Sequence, residues 1–294
     1  MCHTDFFCVA HFIYPKGIGG KMKTKEKTTK LVEASVMIAL ATVLSLVKFA
    51  DMPYGGSVTL ASMLPIVIVS YRQGAGRGLS TAFAYGVIQQ LIGINSLSYF
   101  TTWQSVLAVI FIDYVAAFTV IGFGGAVARL MPRGDRRAQS LGLATGVIIV
   151  SLLRYVLHVI AGATVWAGLS IPTEAALAYS IGYNATYMIP EAFITTVVAA
   201  YLGGMVDFSK KTPAPFAKDS STVGFAAYRA IGALALVLGA AISVSEIFLN
   251  LQNAESGAFD ITGLSSVDWL TVAIVSTISV MVFAVMEILH RRSN

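Results

Sequence analysis

Apolar runs of membrane-crossing length follow one another from residue 31 to residue 290, and the short segments between them hold most of the charge. A bilayer core takes about 20 consecutive apolar residues per helix, fewer where a helix only partly spans. Eight candidate spans can be read: 31–50, 58–71, 77–95, 104–130, 140–166, 177–206, 224–250 and 268–290. Charged residues make up 12% of the chain and hydrophobic residues 56%. Soluble domains carry about 25% charge, so water cannot solvate a surface of this composition. The expected fold is an all-α integral membrane protein with lipid as its solvent. The second run is short and holds Pro65, so a bent or shallow element is expected there. The sixth holds Pro190, which should kink it.

A polar stretch, DFSKKTPAPFAKDSST at 207–222, interrupts the apolar pattern. It divides the chain into a six-helix core at 30–206, a linker at 207–223 and a two-helix C-terminal membrane extension at 224–294. Residues 1–29 are read as a tail, disordered or over-extended at its start, and residues 1–21 make a poor signal peptide because no small-residue cleavage site follows. Cys2 and Cys8 give neither a disulfide framework nor a metal site. The sequence GIGGKMK at 17–23 lacks the spacing of a phosphate loop, so no ATPase is expected in this chain.

Basic residues accumulate in cytoplasmic loops. Lys23 to Lys30, Arg72 and Arg77, Arg129 to Arg137, Lys210 to Arg229, and Arg291 with Arg292 all fall on one side if both termini are cytoplasmic. The opposite side holds Asp51, Glu174, Glu255, Asp260 and Asp268, with Lys48 as the one dissenting base. The net charge of +5 is therefore a topology signal and not a nucleic-acid surface.

Ionisable side chains inside spans are costly and mark function. The core carries Asp113, Arg154, His158 and Glu191 at membrane positions. With this topology Tyr85, Asp113, Tyr114, His158, Trp166, Tyr179 and Asn184 all fall in the outer half of one bundle. Arg154, His158 and Trp166 form a single stripe on span five. One carboxylate, one imidazole, one amide and several rings suit a flat heteroaromatic cation: rings for stacking and cation–π attraction, Asp113 for charge, His158 and Asn184 for orientation. Blander readings stand beside these. Trp103 fits an interfacial belt, Asp113 and Arg154 could form an interhelical ion pair, Glu191 could patch the Pro190 kink, and Glu33 could snorkel. Ser35 and Ala39 make a small-xxx-small pair that permits close contact with a partner helix.

The stretches GGSVTLASMLPIVIVSYRQG (55–74), IDYVAAFTVIGFGG (112–125), LLRYVLHVIAGATVW (152–166) and AYSIGYNATYMIPE (178–191) resemble the thiamine-specific substrate-binding subunits, ThiT, of energy-coupling factor transporters. The resemblance covers about 30–206. It implies a six-helix protein that captures thiamine outside the cell membrane and works with a transmembrane scaffold subunit and two ATPase subunits. It implies that Asp113 is the acidic ligand contact, followed by the pocket tyrosine Tyr114. His158, Trp166, Tyr179 and Asn184 match the remaining pocket positions, and Arg154 a basic position beside them. Tyr85 replaces a pocket tryptophan of some members, while Gly56 and Leu60 stand where some carry an aromatic and an acidic residue. Ser35 and Ala39 match the scaffold-docking motif. No cofactor and no metal are implied. A related ligand such as hydroxymethylpyrimidine, a membrane-embedded enzyme and a purely structural membrane subunit remain the alternatives.

Overall fold

The computed structural model describes residues 24–52, 55–166, 176–216, 222–251 and 261–292. The expectations for residues 1–23, including both cysteines and the GIGGKMK stretch, lie outside these. The chain runs α1 (Thr24–Leu46), β1 (Lys48–Asp51), β2 (Ser57–Thr59), α2 (Leu64–Gln73), α3 (Ala75–Ile92), a 3-10 turn (Ile94–Tyr99), α4 (Trp103–Ala128), α5 (Arg136–Thr164), α6 (Ala176–Met205), a two-stranded hairpin β3–β4 (Val206–Asp207 and Ala214–Pro215), α7 (Thr222–Leu251) and α8 (Trp269–Arg292). Among the described residues six helices are long and apolar enough to cross a membrane: α1, α4, α5, α6, and the stretches Ala227–Leu251 of α7 and Trp269–His290 of α8. Their outward faces carry exposed Leu, Val and Ile, such as Val36 and Val43 on α1 and Ile274 and Ile278 on α8. Side chains of this kind need lipid, and the chain is a multi-pass membrane protein.

The expected second span is not a span. At 1.5 Å per residue its 10 helical residues reach only about 15 Å, and residues Leu64 to Tyr71 are all buried inside the bundle. Pro65 does not bend it. It occupies the first helical turn, where a missing N–H costs nothing. Gly74 then separates α2 from α3 with a φ of 98°, a left-handed conformation that glycine adopts without strain. The expected first span ends early: α1 stops at Leu46, and Lys48–Asp51 pairs antiparallel with Ser57–Thr59 as a hairpin. At its other end α1 begins at Thr24 and takes in the last residues of the segment read as a tail.

Helix starts follow local capping. Thr102 Oγ1 accepts the Ser105 N–H at the start of α4, and Asp135 Oδ1 accepts the Ala138 N–H at the start of α5. Both satisfy amides that have no partner within their own helix. Glycines set the spacing between α2, α3, α4 and α5. A Cβ at Gly122 of α4 would lie 2.5 Å from the Gly78 carbonyl carbon of α3. Gly124 meets Gly146 of α5, and Gly125 meets the backbone of Ser70 and Tyr71 of α2. Small residues at such crossings let apolar helices pack at backbone contact.

Charge gathers at one end of the bundle. Arg72 closes α2 with its Nε on Glu33 of α1 and its other nitrogens on the carbonyls of Phe208, Lys210 and Lys211 at 2.8, 2.9 and 3.0 Å. Glu33 is thus held by an arginine and does not snorkel. Gln73 donates to the Lys30 carbonyl, and Arg133 to that of Tyr71. The β1–β2 hairpin and a cavity lined by aromatic and polar side chains lie at the far end of α1.

Candidate substrate-binding site

The local backbone of α4 is irregular where its carboxylate sits. Residues Ile110–Ala116 form a π-helical turn with Asp113 in it. Such a turn fits one extra residue into the helix and recurs at functional sites. A run of regular apolar sequence carries no signature of it. The turn brings Asp113 against α5. His158 Nδ1 lies 2.9 Å from Asp113 Oδ1, and Trp166 Nε1 donates to Asp113 Oδ2 at 2.8 Å. An ionised carboxylate only accepts, so Nδ1 carries the imidazole hydrogen. The other ring nitrogen, Nε2, is buried and has no hydrogen-bond partner among the described residues.

On α5, Arg154, His158, Gly162 and Trp166 recur every fourth residue and line one cavity. Trp166, just past the helix end, is wedged edge-on against Phe100, with centroids 4.6 Å apart. On α6 the wall is Tyr179, Tyr183, Asn184, Tyr187 and Glu191. Asn184 is locked in place: its amide donates to the Ser180 carbonyl and hydroxyl at 2.9 and 3.1 Å, and its carbonyl accepts from Tyr187 at 2.6 Å. Tyr114 shares a hydrogen bond with Ser96 and stacks on Phe118. Tyr85 is fully buried and edge-on to the same phenylalanine.

The cavity has a volume of about 220 Å³. All eight residues singled out from the sequence line it: Tyr85, Asp113, Tyr114, Arg154, His158, Trp166, Tyr179 and Asn184. Trp103 does not line it. It is 69% exposed, as an interfacial belt residue would be. The considered ion pair between Asp113 and Arg154 does not form. Arg154 lies 3.6 Å from Glu191 and places its guanidinium 4.5 Å over the ring of Phe118. Glu191 therefore does more than fill the Pro190 turn: it accepts from Thr59 at 2.8 Å and lines the deep end of the cavity.

Sequence reasoning missed Glu191, Tyr183 and Tyr187 as wall residues, although they stand 12, 4 and 8 positions after Tyr179 on the same helical face. It placed the loop at 49–57 over the site but missed the strand pairing that frames it. Lys48, Asp51, Gly55, Gly56, Ser57 and Thr59 all line the cavity, and Lys48 pairs with Asp51 at 2.8 Å. Gly56 has a φ of 94° and lies on the ring of Tyr187, which a Cβ would meet at 2.7 Å. Tyr183 donates to the Gly55 carbonyl at 3.0 Å.

Chemically the site offers one carboxylate whose partners, His158 and Trp166, are not permanent cations. It adds an imidazole whose Nε2, without a hydrogen-bond partner among the described residues, accepts when the ring is neutral, and a wall of tyrosines and tryptophan. The chemistry of that set suits a planar cation bearing an N–H donor.

The family model described as thiamine transporter protein (Thia_YuaJ) matches residues 31–208. The thiamine transporter ThiT of Bacillus subtilis (strain 168) is 32% identical over 187 residues, which cover 62% of this chain and 93% of that protein. The thiamine transporter ThiT of Lacticaseibacillus paracasei is 23% identical over 192 residues, covering 62% of this chain and 90% of its own length. The match spans more than half of this chain and holds all eight cavity residues read from the sequence, and on it the chain belongs to the thiamine transporter protein family.

Proposed function

We propose that this chain is the substrate-capture subunit of a vitamin uptake transporter. It binds thiamine from the outer face of the cell membrane and delivers it through an ATP-driven energy-coupling module. The observation that carries the reading is the Asp113–His158–Trp166 cluster inside an aromatic cavity, in a chain whose relatives are named thiamine transporters. Thiamine joins an aminopyrimidine to a permanently charged thiazolium. The charge suits Asp113 and the rings around it. The exocyclic amine suits His158 Nε2, which accepts because Nδ1–H is held by the carboxylate. Arg154 and Glu191 neutralise each other at the deep end, which leaves Asp113 to answer the ligand's charge.

The basic end formed by Lys30, Arg72, Arg133 and Lys210 is cytoplasmic by the positive-inside rule, which puts both termini inside and the cavity outside. Coupling to ATP comes from partner proteins, a transmembrane scaffold and two ATPases. Ser35 and Ala39 are exposed on α1 between Val32, Val36 and Leu40, where small residues let a partner helix approach closely. They are the docking face in this reading. The loop at 49–57 closes over the bound vitamin in this reading.

Isothermal titration separates thiamine from its precursor. The purified full chain is expected to bind thiamine at least about 10-fold more tightly than hydroxymethylpyrimidine, which lacks the charged ring and its roughly 1–2 kcal/mol of cation–π attraction. Equal affinities would make the chain a carrier of the pyrimidine, and no binding of either would end the transport reading.

A further inference from the structure

The hairpin that forms the outer wall of the cavity is held from two sides, and the second side lies outside the family match, which ends at residue 208. From within, α6 holds it through Tyr183 and Tyr187. From behind, α7 packs on it. Ala50, Met52 and Val58 of the hairpin share one apolar cluster with Val244 and Phe248 of α7. The pairing of β1 with β2 slips between Lys48 and Ala50, so Phe49 is an extra residue with no ladder partner. A bulge of this kind leaves backbone groups unpaired. Here the Phe49 carbonyl accepts a hydrogen bond from Ser245 Oγ of α7 at 3.0 Å. A two-stranded hairpin on its own is marginally stable, and Lys48, beside the bulge, and Asp51, two residues beyond it, both line the cavity.

We propose that Ser245 and Phe248 are positioning residues of the binding site, and that the C-terminal helix pair braces the hairpin wall against the cavity. The two side chains touch no ligand. They act through Phe49 and the strand it belongs to. Without them the hairpin loosens, and the vitamin leaves faster. This rests on the thiamine reading only for the release rate; the order of the hairpin is a property of the empty protein.

The test uses the full chain in nanodiscs, as Ser245→Ala, Phe248→Ala and Ser245→Thr, with the exposed Leu249→Ala as a control. Amide hydrogen exchange of residues 48–59 is measured without ligand, and thiamine release by rapid dilution. Ser245→Ala is expected to raise hairpin exchange and thiamine release about fivefold, the scale of one lost hydrogen bond. Phe248→Ala should raise both further, while exchange in α5 stays at its wild-type rate. Ser245→Thr keeps the hydroxyl and should restore protection, which separates bracing from general loss of packing even if Phe248→Ala does not fold. Hairpin exchange within twofold of wild type in Ser245→Ala would overturn the proposal. So would equal loosening in Leu249→Ala. If the wild type binds no thiamine, the transport reading fails while the exchange measurement still decides the brace.

Discussion

Asp113→Ala is expected to weaken thiamine binding by about 3 kcal/mol, roughly a hundredfold in Kd, as titration calorimetry would read it. Three losses add. The cavity loses the carboxylate that answers the thiazolium charge. The Trp166 N–H loses its acceptor at 2.8 Å, so the indole is no longer fixed. The Nδ1–H of His158 loses its acceptor at 2.9 Å, so the imidazole is free to take the other tautomer and present a hydrogen where an acceptor is needed. Asp113→Asn separates these effects. It keeps an oxygen for Trp166 but removes the charge and turns an amide N–H toward His158 Nδ1, so if charge and tautomer carry the binding its defect should approach that of alanine. Asn184→Ala should cost about 1 kcal/mol, because Asn184 acts partly by holding Tyr187. Wild-type affinity in Asp113→Ala would mean that the ligand does not use the cluster.

Gly125→Leu is expected to abolish the folded protein. A Cβ at this position would overlap the backbone of Ser70 and Tyr71, and backbone in a buried helix cannot move aside as a side chain can. The surrounding contacts are equally tight, with Ser70 Oγ bonded to the Gly122 carbonyl and Val67 beside Gly124. Overpacking a site like this costs more than about 4 kcal/mol, near the upper end of single-residue effects. Size-exclusion profiles and thermal unfolding of the purified protein would show aggregation or a large drop in Tm. Gly76→Ala is the control: it lies in the first turn of α3 with nothing within 4 Å of an added Cβ. Its Tm should stay close to that of the wild type. A stable Gly125→Leu protein would mean that α2 and α4 do not meet in the way described.

The residues that carry charge inside apolar runs are legible in the sequence because each is conspicuous alone. Asp113, Arg154 and His158 are expensive in lipid, and helical spacing by itself puts Arg154, His158 and Trp166 on one stripe. Glu191 is equally conspicuous, but its neighbour Pro190 suggests a local backbone role, and its partners Thr59 and Arg154 are distant in sequence. Tyr183 and Tyr187 follow Tyr179 at helical spacing and could have been read with it. Other features are hidden for physical reasons. The π-helical turn around Asp113 leaves no mark on composition. The short buried α2 has the hydropathy of a span without its length. The β1–β2 hairpin is built from Lys48–Asp51 and Ser57–Thr59, too short for a period of two to stand out from an apolar run. The pairing of Arg154 with Glu191 depends on the packing of α5 against α6, which spacing along one helix does not determine.

Tryptophan emission reports on the site itself, because Trp166 is buried at the cavity while Trp103 and Trp269 are 69% and 51% exposed on outer surfaces. Thiamine titrated into the full-length protein should quench emission to saturation, and Trp166→Phe should remove that response. Quenching of undiminished amplitude in Trp166→Phe, or no saturable response in the wild type, would contradict the placement of a cationic vitamin between Asp113, His158 and Trp166.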